Sequence, residues 1–311
     1  MKIQHKKTKI VTTMMTSLII GLMMFSPTIV LPNVSAQPQP QMVTFDTSAL
    51  TSEQVMTPFG AMDKVNVHHY NGTVIDADKI LAKYQADVMN GKTKQFNISG
   101  RSGVPGLTNW NEYAYWDSTS NLNRFNGYWT VPSAPTSTYS STTNPQQALY
   151  LFLGLMDSHL SPSLIIQPVL QWGYSQAYGG NNWELVSWMV IGNQAYYSTP
   201  ISANVGDTIY GDMTLNFGQT WTITTKDVTK NTSTAEQVST SHNFIEADVT
   251  LETANTVTQQ CSYLPGNTGF TSMTMSGGSS FTSWTAAGSP QWCHMSVQRI
   301  SQSAVTLHTQ S

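Results

Sequence analysis

From Gly100 to the end of the chain, short runs of β-branched and aromatic residues alternate with clusters of Gly, Asn, Ser and Pro. The runs at 125–131, 148–155, 164–172, 183–191, 208–215, 220–225, 244–253 and 270–275 carry no 3.6-residue apolar period. Most are too short to give a helix a packing face, and the clusters between them supply turn residues. Many short strands at this spacing predict an all-β domain, either two packed sheets or a closed barrel. The chain has 311 residues, of which 97–311 are assigned to this domain.

The amino-terminal third reads differently. Lys2, Lys6, Lys7 and Lys9 precede an apolar run from Ile10 to Phe25, and the segment closes on Val34-Ser35-Ala36. That is the layout of a secretory signal, expected over residues 1–36. Thr12, Thr13, Thr16 and Ser17 interrupt the run, which argues against an uncleaved anchor. No later stretch approaches the roughly 20 apolar residues of a membrane span, so a secreted, extracellular protein without membrane association is expected once the signal is removed. Residues 37–96 hold Lys64, Lys79, Lys83, Lys92 and Lys94, and Ile80, Leu81, Tyr84, Val88 and Met89 recur at helical spacing. Asp76 or Asp78 would cap that helix and Gly91 would stop it. A short, lysine-bearing helical segment ahead of an acidic β-domain reads as a propeptide or an N-terminal arm, with removal expected near residue 97 in acid.

Charge narrows the function. From residue 97 onward there are five basic residues (Arg101, Arg124, Lys226, Lys230 and Arg299) against eleven acidic ones. Such a surface offers no electrostatic footprint for nucleic acid. Cys261 and Cys293 are the only cysteines, and in an oxidising compartment they are expected to pair. They cannot form a structural zinc site without a histidine cluster. No metal or cofactor is expected, and His159, His242, His294 and His308 are scattered.

Two strands carry polar groups along a whole face. In 246–252 the pleat sets Val249 and Leu251 against Glu246, Asp248, Thr250 and Glu252. In 165–171 it sets Ile166, Pro168 and Leu170 against Gln167, Val169 and Gln171. Trp172, Trp183 and Trp188 lie on or beside neighbouring strands. Acidic and amide groups flanked by tryptophan suit a binding cleft, and they equally suit a solvated outer face.

Several segments, in order, resemble the glutamic peptidases (eqolisins). Asn109-Trp110 is similar to the family's opening Asn-Trp, and Tyr128-Trp-Thr-Val-Pro132 to its strand ending in Val-Pro. Leu151-Phe-Leu-Gly-Leu155 and Leu164-Ile-Ile-Gln167 resemble its Trp-Val-Gly-Ile and Ile-Leu-Gln strands. Gly206-Asp207-Thr-Ile209 resembles its Gly-Asp-x-Ile. Ala247-Asp-Val-Thr-Leu-Glu252 and Cys261-Ser-Tyr-Leu-Pro265 are similar to its Ala-Glu-x-Ile-x-Glu and Phe-Val-Pro. The resemblance implies an antiparallel, concanavalin A-like β-sandwich and a monomeric acid endopeptidase acting on unfolded or extended polypeptides. Carried over by position, it puts the catalytic Gln on Gln167, with Gln171 as rival, and the catalytic Glu on Glu252. Trp110, Phe152, Gln171, Glu184, Trp188 and Asp248 would line the substrate cleft. The departures are Phe152 for a Trp, Met156 for an Asp, Gln171 for an acid, and Val186 and Val190 for the acids flanking Trp188.

These residue types fit peptide hydrolysis. One carboxylate activates water and then protonates the leaving amine, worth about 10² to 10⁴ in rate. An amide N–H aimed at the tetrahedral oxygen supplies roughly 10² to 10³ more. Two other readings stay open on the same sheet. A glycosidase would use two carboxyls about 5 to 9 Å apart, drawn from Glu184, Glu246, Asp248 and Glu252, and a lectin-like module would use the tryptophan-lined face.

Overall fold

The structure, a computed structural model, describes residues 53–58, 60–93, 110–138, 147–160, 162–175, 180–254, 261–288 and 293–309. The expected signal segment, the boundary near residue 97 and Asn109 lie outside these residues. The chain runs β1 (Gln54–Thr57), β2 (Gly60–Asp63), β3 (Val67–His69), β4 (Ile75–Asp76), helix α1 (Ala77–Met89), β5 (Trp110–Asp117), β6 (Leu122–Thr130), β7 (Ala148–Asp157), β8 (Leu164–Gly173) and β9 (Trp183–Ile191). It continues through β10 (Gln194–Tyr197), β11 (Ile201–Ala203), β12 (Thr208–Asn216), β13 (Thr220–Asp227), β14 (Thr232–Ser239) and β15 (Glu246–Ala254). The last strands are β16 (Thr268–Gly277), β17 (Thr285–Gly288), β18 (Ser296–Ser301) and β19 (Ala304–His308).

Two large sheets take up all but the first two strands. One is nine-stranded, in the order β17-β5-β15-β7-β8-β9-β10-β3, with β11 pairing β9 as well. The other is eight-stranded, in the order β18-β19-β16-β6-β12-β13-β14-β4. The fold is the expected all-β sandwich, and each strand read from the sequence recurs within a few residues. Period-2 alternation decides what lies between the layers. Leu149, Leu151, Leu153 and Leu155 of β7 turn one way, into one apolar core with Phe125, Trp129, Ile209, Met213 and Ile223 of the facing sheet. Burying each such side chain contributes about 1.5–3 kcal/mol, so this interior dominates the stability.

The alternate residues of β7, β8 and β9 point out of the sandwich, and they too are buried. Phe152, Met156, Ile165, Val169, Val186, Trp188 and Val190 form a second apolar cluster on this outer face of the nine-stranded sheet. Pro168 sits in central strand β8, where a missing N–H normally excludes proline. The β7–β8 pairing skips the positions beside it. Its ring packs toward Gly211 of the facing sheet, where an added Cβ would come within 2.7 Å of Pro168 Cγ.

The amino-terminal segment holds more than the expected helix. Asp76 caps α1 by accepting from the Lys79 N–H at 2.9 Å, and Gly91 takes φ +65° beyond its end. Ahead of it, β1 and β2 form a separate hairpin. Strand β3 adds in parallel to β10, at one edge of the nine-stranded sheet, and β4 adds in parallel to β14 of the other. Sequence reading missed these strands because each is two to four residues long, too short to set a period. Cys261 and Cys293 are disulfide-bonded with Cα atoms 5.2 Å apart, within the range such a bridge requires. Among the described residues no helix is long and apolar enough to cross a membrane.

Candidate active site

Strand order and register fix which polar groups of the outer face meet. Strand β15 lies between β5 and β7, and β7 separates it from β8. On β15, Glu252 pairs with Tyr150, Thr250 with Phe152, Asp248 with Gly154, and Glu246 with Met156. On the far side of β7, Tyr150 pairs with Gln171 and Phe152 with Val169, and the pairing resumes at Leu155 with Ile166. Gly154 is therefore level with Gln167. Strand β9 continues these rows, with Glu184 against Gln171 and Trp188 against Gln167.

Two rows across the face thus hold a carboxyl and an amide. One reads Asp248, Gly154, Gln167, Trp188, and the other Glu252, Tyr150, Gln171, Glu184. In the second row the Tyr150 ring stands between the two groups. In the first row no β7 side chain stands between them, because Gly154 has none. A Cβ at Gly154 would collide with both carboxylate oxygens of Asp248, so that carboxyl leans over the glycine toward β8. Backbones two strands apart are roughly 9–10 Å from one another, a span that Asp and Gln side chains can close around one small molecule.

The expectation that Gln167 and Glu252 sit on adjacent strands needs correction, because β7 lies between β8 and β15. Both lie on the outer face, but on non-adjacent strands and in different rows. Asp248 and Glu252 are separated by four residues along β15, roughly 13 Å, so by register Glu252 is level with Gln171 and Asp248 with Gln167. The carboxyl level with Gln167 is Asp248, assigned from the sequence to substrate binding. The remaining expected residues flank these rows. Trp110 pairs with Glu252 in register and packs edge-on against Phe152 at 5.7 Å. The Trp188 indole donates to Gln171 Oε1 at 3.3 Å, tying the two rows together. Glu184 accepts from Asn182 Nδ2 at 2.8 Å and from Ser202 Oγ at 3.3 Å.

Burial sets the electrostatics. Gln167, Asp248, Thr250 and Glu252 are all 0% exposed. Burial, then the charges of Glu246 and Glu252, push Asp248 well above the usual carboxylate range, and the Thr250 hydroxyl opposes this by donating to Oδ1 at 2.9 Å. Burial also raises Glu184, against its Ser202 and Asn182 hydrogen bonds and the Lys230 charge. Burial and the Glu252 charge raise Tyr150. Neither amide atom of Gln167 has a hydrogen-bond partner among the described residues, and neither has Asp248 Oδ2. Leaving such groups buried and unpaired costs about 1–3 kcal/mol each, a cost this row shares with Gln171 Nε2 of the other row and with the carboxyls of Glu112 and Glu236 elsewhere. Among the described residues no group of three potential ligands is placed to hold a metal ion.

Sequence reasoning did not single out Gly154 or Tyr150, whose importance comes only from register. It also missed two other buried acids. Glu112 is pushed up to about 8 by burial against an opposing Ser296 backbone hydrogen bond, and Glu236 is raised well above its ordinary value by burial.

No family model matches the chain, and no curated protein matches it. Among solved structures it is similar to Scytalido-glutamic peptidase with a peptide-based transition state analog. That likeness has 14% identity and a TM-score of 0.44, over 64% of this chain and 98% of the other. SCP-B, a member of the Eqolisin family in complex with the tripeptide Ala-Ile-His, is 14% identical with a TM-score of 0.40, over 64% and 98%. Aspergilloglutamic peptidase from Aspergillus niger is 16% identical with a TM-score of 0.36, over 52% and 98%. These values leave the chemistry to be argued from the chain's own residues.

Proposed function

We propose that the chain is an exported, acid-acting endopeptidase of the glutamic type, in which Gln167 and Asp248 hold and activate the attacking water. The observation that carries this reading is that Asp248 and Gln167 stand level on either side of Gly154, with the Asp248 carboxyl lying over that glycine. Asp248, when ionised, takes a proton from the water and returns it to the leaving amine. The Gln167 carbonyl accepts from the same water and its N–H groups face the developing oxyanion. The raised Asp248 carboxyl suits a group that must alternate between base and acid. Trp110, Phe152 and Trp188 offer apolar walls for an extended polypeptide, with Glu184 and Gln171 at the neighbouring row.

The sequence resemblance supports the same class, with an Asp where the family strand carries Ala-Glu. A glycosidase needs a second carboxyl across the scissile bond, and the group across from Asp248 is an amide. The leader-like first 36 residues and the Cys261–Cys293 disulfide fit export to an oxidising compartment. The test is to incubate the purified chain with a denatured protein from about pH 2 to 6, bracketing the carboxyl pKa range, and to count new amino termini by mass spectrometry. Cleavage within the acid range is expected. A chain that leaves denatured protein intact at every pH, even with the cleft uncovered as described below, but binds a polysaccharide would overturn the reading.

A further inference from the structure

The outer face is a row of polar groups and aromatic rings that nevertheless has no exposed centre. Gln167, Val169, Asp248 and Thr250 are 0% exposed, and the eight-stranded sheet covers only the opposite face. Among the described residues, the buried apolar side chains that join this cluster from outside the nine-stranded sheet are Met56 of β1 and Met62 of β2, 4% and 3% exposed, with half-buried Val55 and Ala61 of the same hairpin packed against it. The hairpin is closed by the Thr57–Gly60 pair, where Thr57 Oγ1 donates to the Gly60 carbonyl at 2.9 Å. It is tethered by β3, whose Val67 joins the same cluster while its backbone pairs with β10.

We infer that the β1–β2 hairpin is a plug over the candidate cleft, and that residues 54–93 hold it there without needing the covalent link to Trp110. The inhibitory meaning of the plug rests on the peptidase reading, but the covering itself does not. Three anchors hold the segment independently of the chain that follows it. The first is the parallel pairing of β3 with β10, extended by the Tyr70 N–H donating to the Tyr197 carbonyl at 2.7 Å. The second is the pairing of β4 with β14, which places Ile75 in the inter-sheet core together with Ala77 and Leu81 of α1. The third is Asp78, which accepts from Thr240 Oγ1 at 2.8 Å and from the Ser241 N–H at 2.9 Å. Methionine suits the plug, being long, unbranched and able to fill an irregular apolar surface. A cut near residue 97 is then not enough to open the cleft; the segment must also be displaced or digested.

Accessibility tests this without any assumption about activity. The native cysteines are both in the disulfide, so one introduced thiol reports alone. Val169→Cys places it on the outer face and Ala247→Cys in the inter-sheet core, both at fully buried positions. The quantity read is the ratio of their N-ethylmaleimide labelling rates in the full chain. With the native hairpin the ratio should be near one and both rates slow. M56D/M62D, or the milder M56S/M62S where the charged pair fails to fold, should raise it at least about tenfold. A protease site inserted between Thr93 and Trp110 and then cut should leave the ratio unchanged, with the amino-terminal fragment co-eluting. A fast Val169→Cys in the intact chain, an unchanged ratio in M56S/M62S, or a ratio that rises on cutting alone would each overturn the inference. A ratio that rises in M56S/M62S while denatured protein stays uncut would sustain the plug and sink the peptidase.

Discussion

Asp248 and Gln167 face each other across Gly154, on strands that β7 keeps from being neighbours. Every other outward position of β7 from Ala148 to Met156 carries a side chain, so this is where an acid and an amide can converge. The ladder between β7 and β8 also breaks here, beside Pro168. A local rule broken in the middle of a sheet marks a place where function competes with regularity.

Gly154→Ala tests the gap directly. The added Cβ would collide with the Asp248 carboxyl, which must swing away from Gln167. We expect kcat/KM on a peptide substrate to fall by about 10² or more, on the scale of losing one positioned group, with a much smaller change in Tm.

Glu252→Gln should move a pH profile without abolishing cleavage. Burial first, then the charges of Glu246 and Glu252, hold Asp248 above its ordinary range. Removing one negative charge lowers the Asp248 pKa, so the acid limb of kcat/KM against pH should shift to lower pH. A limb that stays in place would separate Glu252 from Asp248.

Asp78→Asn should loosen the amino-terminal segment at neutral pH. Burial works upward on Asp78, but hydrogen bonds from Ser241 and Thr240 and the His242 charge outweigh it and hold the carboxyl below its ordinary value. A depressed carboxylate stabilises docking above its unfolded pKa, and that contribution is lost as pH falls through the folded value. Protection factors of the β3 and β4 amides, taken relative to their intrinsic exchange rates at each pH, should therefore fall in acid in the wild type and depend less on pH in the variant.

Replacing both Cys261 and Cys293 by Ser should lower stability without touching the chemistry. The bridge closes a loop of 32 residues, which the chain-entropy relation puts at about 3–4 kcal/mol. A clear drop in Tm is expected, with kcat/KM unchanged below the transition.

The strands were legible because Val, Ile and aromatic residues sit between turn-forming clusters, and the two polar faces followed from a period of two. Which polar residues meet was not legible, because β15 joins β7 and β8 from about 80 to 100 residues away, and a register difference of four residues moves a partner by roughly 13 Å. Reading along one strand, Glu252 and Asp248 are equivalent; only the cross-strand neighbours Tyr150 and Gly154 tell them apart. The hairpin was illegible for another reason. Gln54-Val-Met-Thr and Gly60-Ala-Met-Asp are too short to alternate convincingly, and their burial comes from the face they cover. Glu112 and Glu236 were likewise hidden, since nothing local marks an acid that the fold encloses.

The most direct test compares Asp248→Asn with Glu252→Gln, both in the M56S/M62S background so that the cleft is open. The measurement is the initial rate of peptide-bond cleavage in a denatured protein at the acid optimum. The account predicts that Asp248→Asn falls to background while Glu252→Gln keeps its rate within about tenfold, a difference of roughly 1.4 kcal/mol in barrier. Cleavage that survives in Asp248→Asn and vanishes in Glu252→Gln would contradict it.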